Sequence, residues 1–289
     1  MSTATVMHKR RFDWTKLSLT IWAIVVFIFL FLPIIWIIAY SFNTGRLLTV
    51  WNGFGLEGYQ AVFTNPTPRA AVKVSLIVAS LSALLATFLG SLAGVALARR
   101  PGKWTVAFLF LVALVLVTPE IVDAIAMLPW YVQLGQDWNF TPFNNGYVRL
   151  VVSHAVFNTA VVTLIVRARL SGIDETLEEA AADLYATPTR AFSQITFPLM
   201  LPAVLAGFLL AFTLSLDNTV ISSFVFVKGT TPWPAYVFSS VKAGLRPEIA
   251  SISTLMFLLT VIAISLVALV LRRGGDSSSD IAATMTGTG

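Results

Sequence analysis

Cysteine is absent from the 289 residues, which excludes disulfides and thiolate metal sites. Histidine occurs twice, at His8 and His154, too far apart in sequence and setting to suggest a histidine metal centre. Charge is scarce: Asp, Glu, Lys and Arg make up 11% of the chain, against 57% hydrophobic residues. A soluble protein of this length needs far more charge to cover its surface. No G-x-x-x-x-G-K-[ST] run occurs, and "PGKW" at 101–104 lacks both the first glycine and the hydroxyl residue. The chain cannot hold ATP in the P-loop manner, so its energy comes from a partner or an ion gradient. The net charge of +5 does not point to nucleic acid, because the basic residues bracket apolar runs as topology signals do.

Long apolar runs take the place of those features. A hydrocarbon core of about 30 Å takes ~20 helical residues. Six runs qualify: Leu19–Tyr40, Val74–Ala98, Trp104–Met127, Tyr147–Val166, Leu199–Phe226 and Ile249–Leu271. The expected fold is an all-α membrane protein with six transmembrane helices in a lipid bilayer. The first run follows "HKRRFDWTK" and is longer than the ~7–15 apolar residues of a signal peptide. It reads as an uncleaved helix, although "AYS" at its end imitates a cleavage site. With the N-terminus inside, 12 Lys and Arg fall on the inner side and 7 on the outer, including Arg149. The positive-inside rule then places both termini in the cytoplasm. Residues 1–18 form a cytoplasmic segment and 19–273 a single transmembrane domain. Residues 274–289, small and polar without periodicity, read as a disordered tail. The outer segments carry Trp51, Trp130, Tyr131, Trp138, Trp233 and Tyr236, which suit an interfacial aromatic belt or contacts to cargo.

The inner loop between the fourth and fifth runs is unusual. Asp174, Glu175, Glu178, Glu179 and Asp183, five of the 14 acids, crowd into ten residues. Ser171 with Asp174 fits a capping box that starts a short helix. Leu177, Ala180, Ala181 and Leu184 form an apolar stripe at helical spacing, with the acids mainly on the remaining surface. "ATP" at 186–188 ends that helix, and Thr187 with Pro188 suits the start of a second one. The loop at 171–198 therefore reads as a helix–turn–helix. An amphipathic helix lying on the inner leaflet favours Lys and Arg, so the acids point instead to a protein-docking element.

The stretch resembles the "EAA" loop of permease subunits in ABC importers, E-A-A, three residues, G, nine residues, I, any residue, L-P. Glu179, Ala180, Ala181, Ile195 and Pro198 match at that spacing, while Tyr185 stands where glycine is usual and Phe197 where leucine is usual. "LEGYQAVFTN", "VKVSLIVASLSALLATFLGSLAGVALARR" and "FTLSLDNTVISSFV" look like the spermidine and putrescine subgroup. The resemblance implies a type I importer permease fold in a bacterial inner membrane. It implies that Glu179, Ala180, Ala181, Tyr185, Ile195 and Pro198 couple to a cytoplasmic ATPase. It also implies a second similar permease, two ATPases that bind ATP and Mg, and an external substrate-binding protein, with no cofactor in this chain and no enzymatic activity of its own.

Three acids lie within apolar runs. Asp217, in "LSLDNTVISSF", costs roughly 2.5–3.5 kcal/mol at a helix centre on insertion scales. Asp217 and Asn218 are candidates for a cation-attracting stretch of the transport path; the alternative is hydrogen bonding between helices. Polyamine members of the family often carry two acids here, whereas this chain has one. Glu120 and Asp123, three apart on one face, are candidates for an outer cation gate or for interface solvation. Pro119 and Pro129 break or kink that segment. Trp130 and Tyr131 are candidate cation–π contacts for an ammonium cargo. Acid–base catalysis lacks a nucleophile, metal ligand or cofactor motif. The reading is a permease half for polyamines. The alternatives are a permease of the same family for an aminophosphonate, sugar or iron chelate, and a stand-alone secondary transporter.

Overall fold

The computed structural model describes residues 14–45 and 47–273. The expectations for residues 274–289 and for most of the N-terminal segment lie outside the described residues. The helices are α1 (Trp14–Tyr40), α2 (Glu57–Thr64), α3 (Pro66–Arg99), α4 (Lys103–Val117), α5 (Glu120–Val132), α6 (Gly146–Ser171), α7 (Thr176–Asp183), α8 (Pro188–Ala191), α9 (Phe197–Asp217), α10 (Val220–Val225), α11 (Trp233–Ala243) and α12 (Pro247–Arg273). Among the described residues, strand pairing is limited to one isolated bridge, Asn43 with Phe54.

Local chemistry sets the ends. Asn65 caps α3 by accepting the Thr67 N–H at 3.2 Å, with Pro66 at the first helical position. Asn145 does the same for α6, accepting from Tyr147 N–H at 2.9 Å. Five helical stretches are long and apolar enough to cross a bilayer. The segments Lys103–Val117 and Glu120–Asp137 are together long and apolar enough for a sixth crossing, but bend by 102° at their break, the shape of a broken span or a re-entrant loop.

The core is built on α3, α6 and α9. Gly90 and Gly94 lie one turn apart on α3 and let its backbone approach α6. A Cβ added at Gly90 would stand 2.7 Å from Val162 Cβ, and one at Gly94 would stand 2.9 Å from Val166 Cβ. In lipid, water release does not drive helices together, so such close packing of small residues holds the pair. Ala83, Ala86, Val162, Val166, Leu170, Met200 and Ala211 complete this cluster. By contrast α1 has no buried residue, and only its C-terminal part, at Ile34, Ile38 and Tyr40, is half-covered.

Three sequence expectations need correction here, whereas the break expected at Pro119 is present: the run Trp104–Met127 is two helices. Thr118 before Pro119 is extended (ψ 128°), and the missing proline N–H breaks the ladder. The run Leu199–Phe226 is also broken, without a proline. Asn218 is extended (ψ 103°), and its side chain accepts the Ser222 N–H at 3.3 Å, an alternative to helical bonding. Arg149, counted as an outer surface charge, is buried and donates to the Phe143 carbonyl. Trp233 is not a belt residue: it is 5% exposed, its backbone N–H donates to Ser75 Oγ at 2.8 Å, and it packs with Ile249 and Ile252.

Candidate functional site

Two regions carry the chemistry: the loop between α6 and α9, and the seam between α9 and α10.

In the loop, Ser171 and Asp174 do not form the expected capping box. Ser171 belongs to the last turn of α6 and donates to its own helix, to Arg167 O at 2.9 Å. Asp174 Oδ1 accepts the Thr176 N–H at 3.0 Å and so begins α7 alone. Bonds from the Thr176 backbone N–H and then its hydroxyl favour the charged form and hold the Asp174 carboxyl below the usual range. Pro188 stands at the first position of α8 as expected. The Thr187 side chain makes no capping bond to the backbone, meeting the Thr189 hydroxyl at 3.3 Å.

Arg99, the last residue of α3, braces α7. Its Nε donates to Glu178 Oε1 at 3.0 Å and its Nη1 to Glu175 Oε1 at 3.3 Å. Nη1 also reaches the carbonyls of Leu170 in the last turn of α6 (3.2 Å) and of Ile173 just beyond it (3.3 Å). Glu178 Oε1 takes a further bond from Thr196 Oγ1 at 2.8 Å, which ties in the approach to α9. The better-covered bond to Glu178 contributes about 1.5 kcal/mol, and the one to the exposed Glu175 less than about 1 kcal/mol. The acids of α7 therefore divide by role. Glu175 and Glu178 hold the loop to the membrane domain, while Glu179 and Asp183 are exposed.

The apolar stripe divides too. Ala181 is buried, and Ile195, in a π turn over Phe192–Thr196, is half-buried. Leu177, Ala180, Leu184 and Pro198 are exposed on this chain. Helix α7 ends in a Schellman motif: Ala186 N–H bonds to Ala181 O at 3.0 Å and Tyr185 N–H to Ala182 O at 2.9 Å. That motif wants a left-handed residue, and Tyr185 takes it at φ 60°. A side chain there costs roughly 1–2 kcal/mol that glycine does not. Tyr185 is nevertheless 97% exposed and Leu184 82%, so neither gains contacts within this chain.

At the seam, Asp217 is the last residue of α9 and exposed. It borders an open cleft of about 390 Å³ with Trp233, Val237, Met256 and Phe257. Asn218, its neighbour, instead lines a small cavity of about 30 Å³ together with Glu120, His154, Asn158 and Ser215. The structure thus joins Asn218 with Glu120, far apart in sequence, and turns Asp217 to a different cleft. Asp123 shares the first turn of α5 with Glu120 and is half-buried. Trp130 is half exposed and meets Trp138 edge-on at 5.4 Å. Tyr131 is 3% exposed, stacks on Phe143 at 5.1 Å and shares a hydrogen bond of 2.9 Å with Ser153. Its ring is occupied by the protein itself. Among the described residues, none of Asp217, Glu120 and Asp123 has an ion-pair partner.

Sequence reasoning passed over Arg99 and His154. A basic residue closing a span beside an acidic loop signals the first. A lone ionisable residue inside an apolar run signals the second. Among the described residues no group of His, Asp and Glu is arranged to hold a metal ion.

Fold and sites together define a multi-pass, all-helical membrane protein with a braced acidic loop and no metal-binding cluster among the described residues. Residues 86–276 match the binding-protein-dependent transport system inner membrane component family, and the chain belongs to it. It is 39% identical over 241 residues to the putrescine transport system permease protein PotI of Escherichia coli K12, covering 81% of this chain and 85% of that one. It is 35% identical over 249 residues to the spermidine/putrescine permease protein PotC of Haemophilus influenzae, covering 86% and 94%. Its fold matches a bacterial ABC transporter involved in import of the polysaccharide alginate, with TM-score 0.61, 15% identity and coverage of 92% and 99%. A bacterial alginate ABC transporter in complex with an alginate pentasaccharide-bound periplasmic protein matches at TM-score 0.65, 18% identity and coverage of 89% and 93%.

Proposed function

We propose that this chain is a permease half of an ATP-driven importer for polyamines of the putrescine and spermidine class. It sits in a bacterial inner membrane with both termini and the α7–α8 loop in the cytoplasm. A second, similar permease completes the translocation path. Two ATPase subunits bind ATP and Mg²⁺ and dock on the loop, and an extracytoplasmic binding protein delivers cargo. The observation that carries this reading is the 39% identity across 81% of the chain to a putrescine permease. The sites support it. The exposed Glu179, Ala180, Asp183, Leu184, Tyr185 and Pro198 present an acidic and apolar surface to a protein partner, with the buried Ala181 and half-buried Ile195 packed beneath it. The unpaired Asp217, Glu120 and Asp123 offer negative charge to a multiply charged ammonium compound inside the bilayer, where such charge is costly unless used.

The test is reconstitution of the complete complex in proteoliposomes. Putrescine or spermidine, presented with the binding protein, should stimulate ATP hydrolysis and accumulate inside, and this chain alone should transport neither. Lack of polyamine stimulation defeats the cargo reading. Glu179→Lys should leave membrane insertion unchanged and weaken ATPase association about tenfold, measured by co-purification, because it reverses an exposed charge at a docking surface. Normal assembly and transport with that change defeats the loop assignment. The second reading, import of another solute such as an aminophosphonate, sugar or iron chelate, draws on Asn218 in place of a second acid.

A further inference from the structure

The buried imidazole of His154 takes no part in the functions proposed above. It lies in the first half of α6, 3% exposed, beside a small cavity lined also by Glu120, Asn158 and Asn218. Both ring nitrogens are bonded. Nδ1 stands 2.6 Å from Ser215 Oγ, and Nε2 stands 3.1 Å from Ser222 Oγ. Ser82 Oγ on α3 continues the chain to Ser215 Oγ at 2.9 Å. One neutral tautomer satisfies every link: Ser82 O–H donates to Ser215, Ser215 O–H donates to Nδ1, and Nε2–H donates to Ser222.

The placement of the two serines gives this network its meaning. Ser215 lies in the last turn of α9 and Ser222 lies in α10, on opposite sides of the unwound Asn218–Thr219 link. In an unbroken helix seven residues span about 10.5 Å. A single ring reaches both hydroxyls because the break lets the two halves tilt toward it. The same ring borders the small cavity where Asn218 and Glu120 meet. Asn218 in turn caps α10 through Ser222 N–H. Hydroxyls inside a membrane helix ordinarily bond back to their own carbonyls, yet these two face a shared imidazole.

We propose that His154 is a positioning residue for the translocation path: it fixes the angle between α9 and α10 and thereby the stance of the Asp217–Asn218 link toward the cargo. The proposal rests on the permease reading for its consequence and on the geometry alone for the clamp. His154→Leu removes both ties at similar volume, leaving Ser215 and Ser222 free to bond within their own helices. Ser222→Ala removes only the outer tie and carries the decision if the first variant does not assemble.

The experiment compares each variant with the unaltered protein in the complex purified with its partner subunits. Hydrogen exchange should rise at least tenfold in the segment 216–225 and stay within twofold in the α3–α6 core. In proteoliposomes, putrescine imported per ATP hydrolysed should fall at least fivefold for His154→Leu and less for Ser222→Ala. Unchanged exchange at the seam overturns the proposal. A rise spread evenly over the chain also overturns it, because that marks a general packing role. If the unaltered complex imports no putrescine, the cargo reading fails, and the exchange comparison still decides the clamp.

Discussion

The loop at 171–198 and the seam at 217–219 both interrupt helices, and both gather polar residues in an oily chain, but they are held by opposite means. The loop is braced by charge: one guanidinium, Arg99, grips Glu175, Glu178 and two carbonyls. The seam is braced by neutral groups, an imidazole between two hydroxyls, while its acid stands apart. The difference follows from the surroundings. At the membrane edge, water and lipid headgroups help solvate a full ion pair. Within the bilayer a charge is expensive, so holding is left to uncharged hydrogen bonds.

The largest break in this comparison should come from Arg99→Ala. Losing bonds that together contribute about 1.5–2.5 kcal/mol frees α7, so exchange across 174–184 should rise roughly ten- to hundredfold. Import should fall with it. Asp217→Asn should behave in the opposite way on stability. The neutral residue inserts more easily, so the thermal midpoint of the complex should hold or rise, while putrescine import falls roughly tenfold, about 1.4 kcal/mol. A loss of stability at Asp217→Asn would show that the carboxylate holds the seam after all.

Smaller effects sharpen the loop side. Tyr185→Gly should relieve about 1 kcal/mol of left-handed strain and slow exchange in α7 roughly fivefold. If ATPase affinity drops despite the steadier loop, the tyrosine ring is a contact in its own right. The least effect concerns pH. The Asp174 carboxyl titrates below its ordinary value of 3.8. Its bond to Thr176 is therefore fully in place above that value and is lost as pH falls through the lowered one. Protection of the Thr176 amide should persist throughout the neutral and mildly acidic range and vanish only below it.

Much of this was legible in the chain itself. Run length and hydropathy gave the membrane crossings, because spanning helices must satisfy their own backbone. The spacing Glu179, Ala180, Ala181, Ile195, Pro198 marked the loop. Prolines 119 and 129 warned of the bend in the third apolar run. The break at Asn218 was hidden, because no proline or glycine marks it and a capping side chain does the work. The roles of neighbouring acids were hidden as well. Glu178 and Glu179 are adjacent and identical, and only the position of Arg99 across the fold turns one inward and leaves the other exposed. Arg149 and Trp233 looked like surface residues because periodicity does not reveal which outer segments fold back onto the core.

Helix α3 is a rod of 34 residues, about 50 Å long, with Arg99 at one tip. Its tightest approach to α6, at Gly90 and Gly94, lies close to that tip. Because α3 is buried from Pro68 to Leu97, it cannot pivot alone: a displacement delivered at Arg99 must carry α6 and α9 with it, as far as the tip beside Asn65 and Glu248.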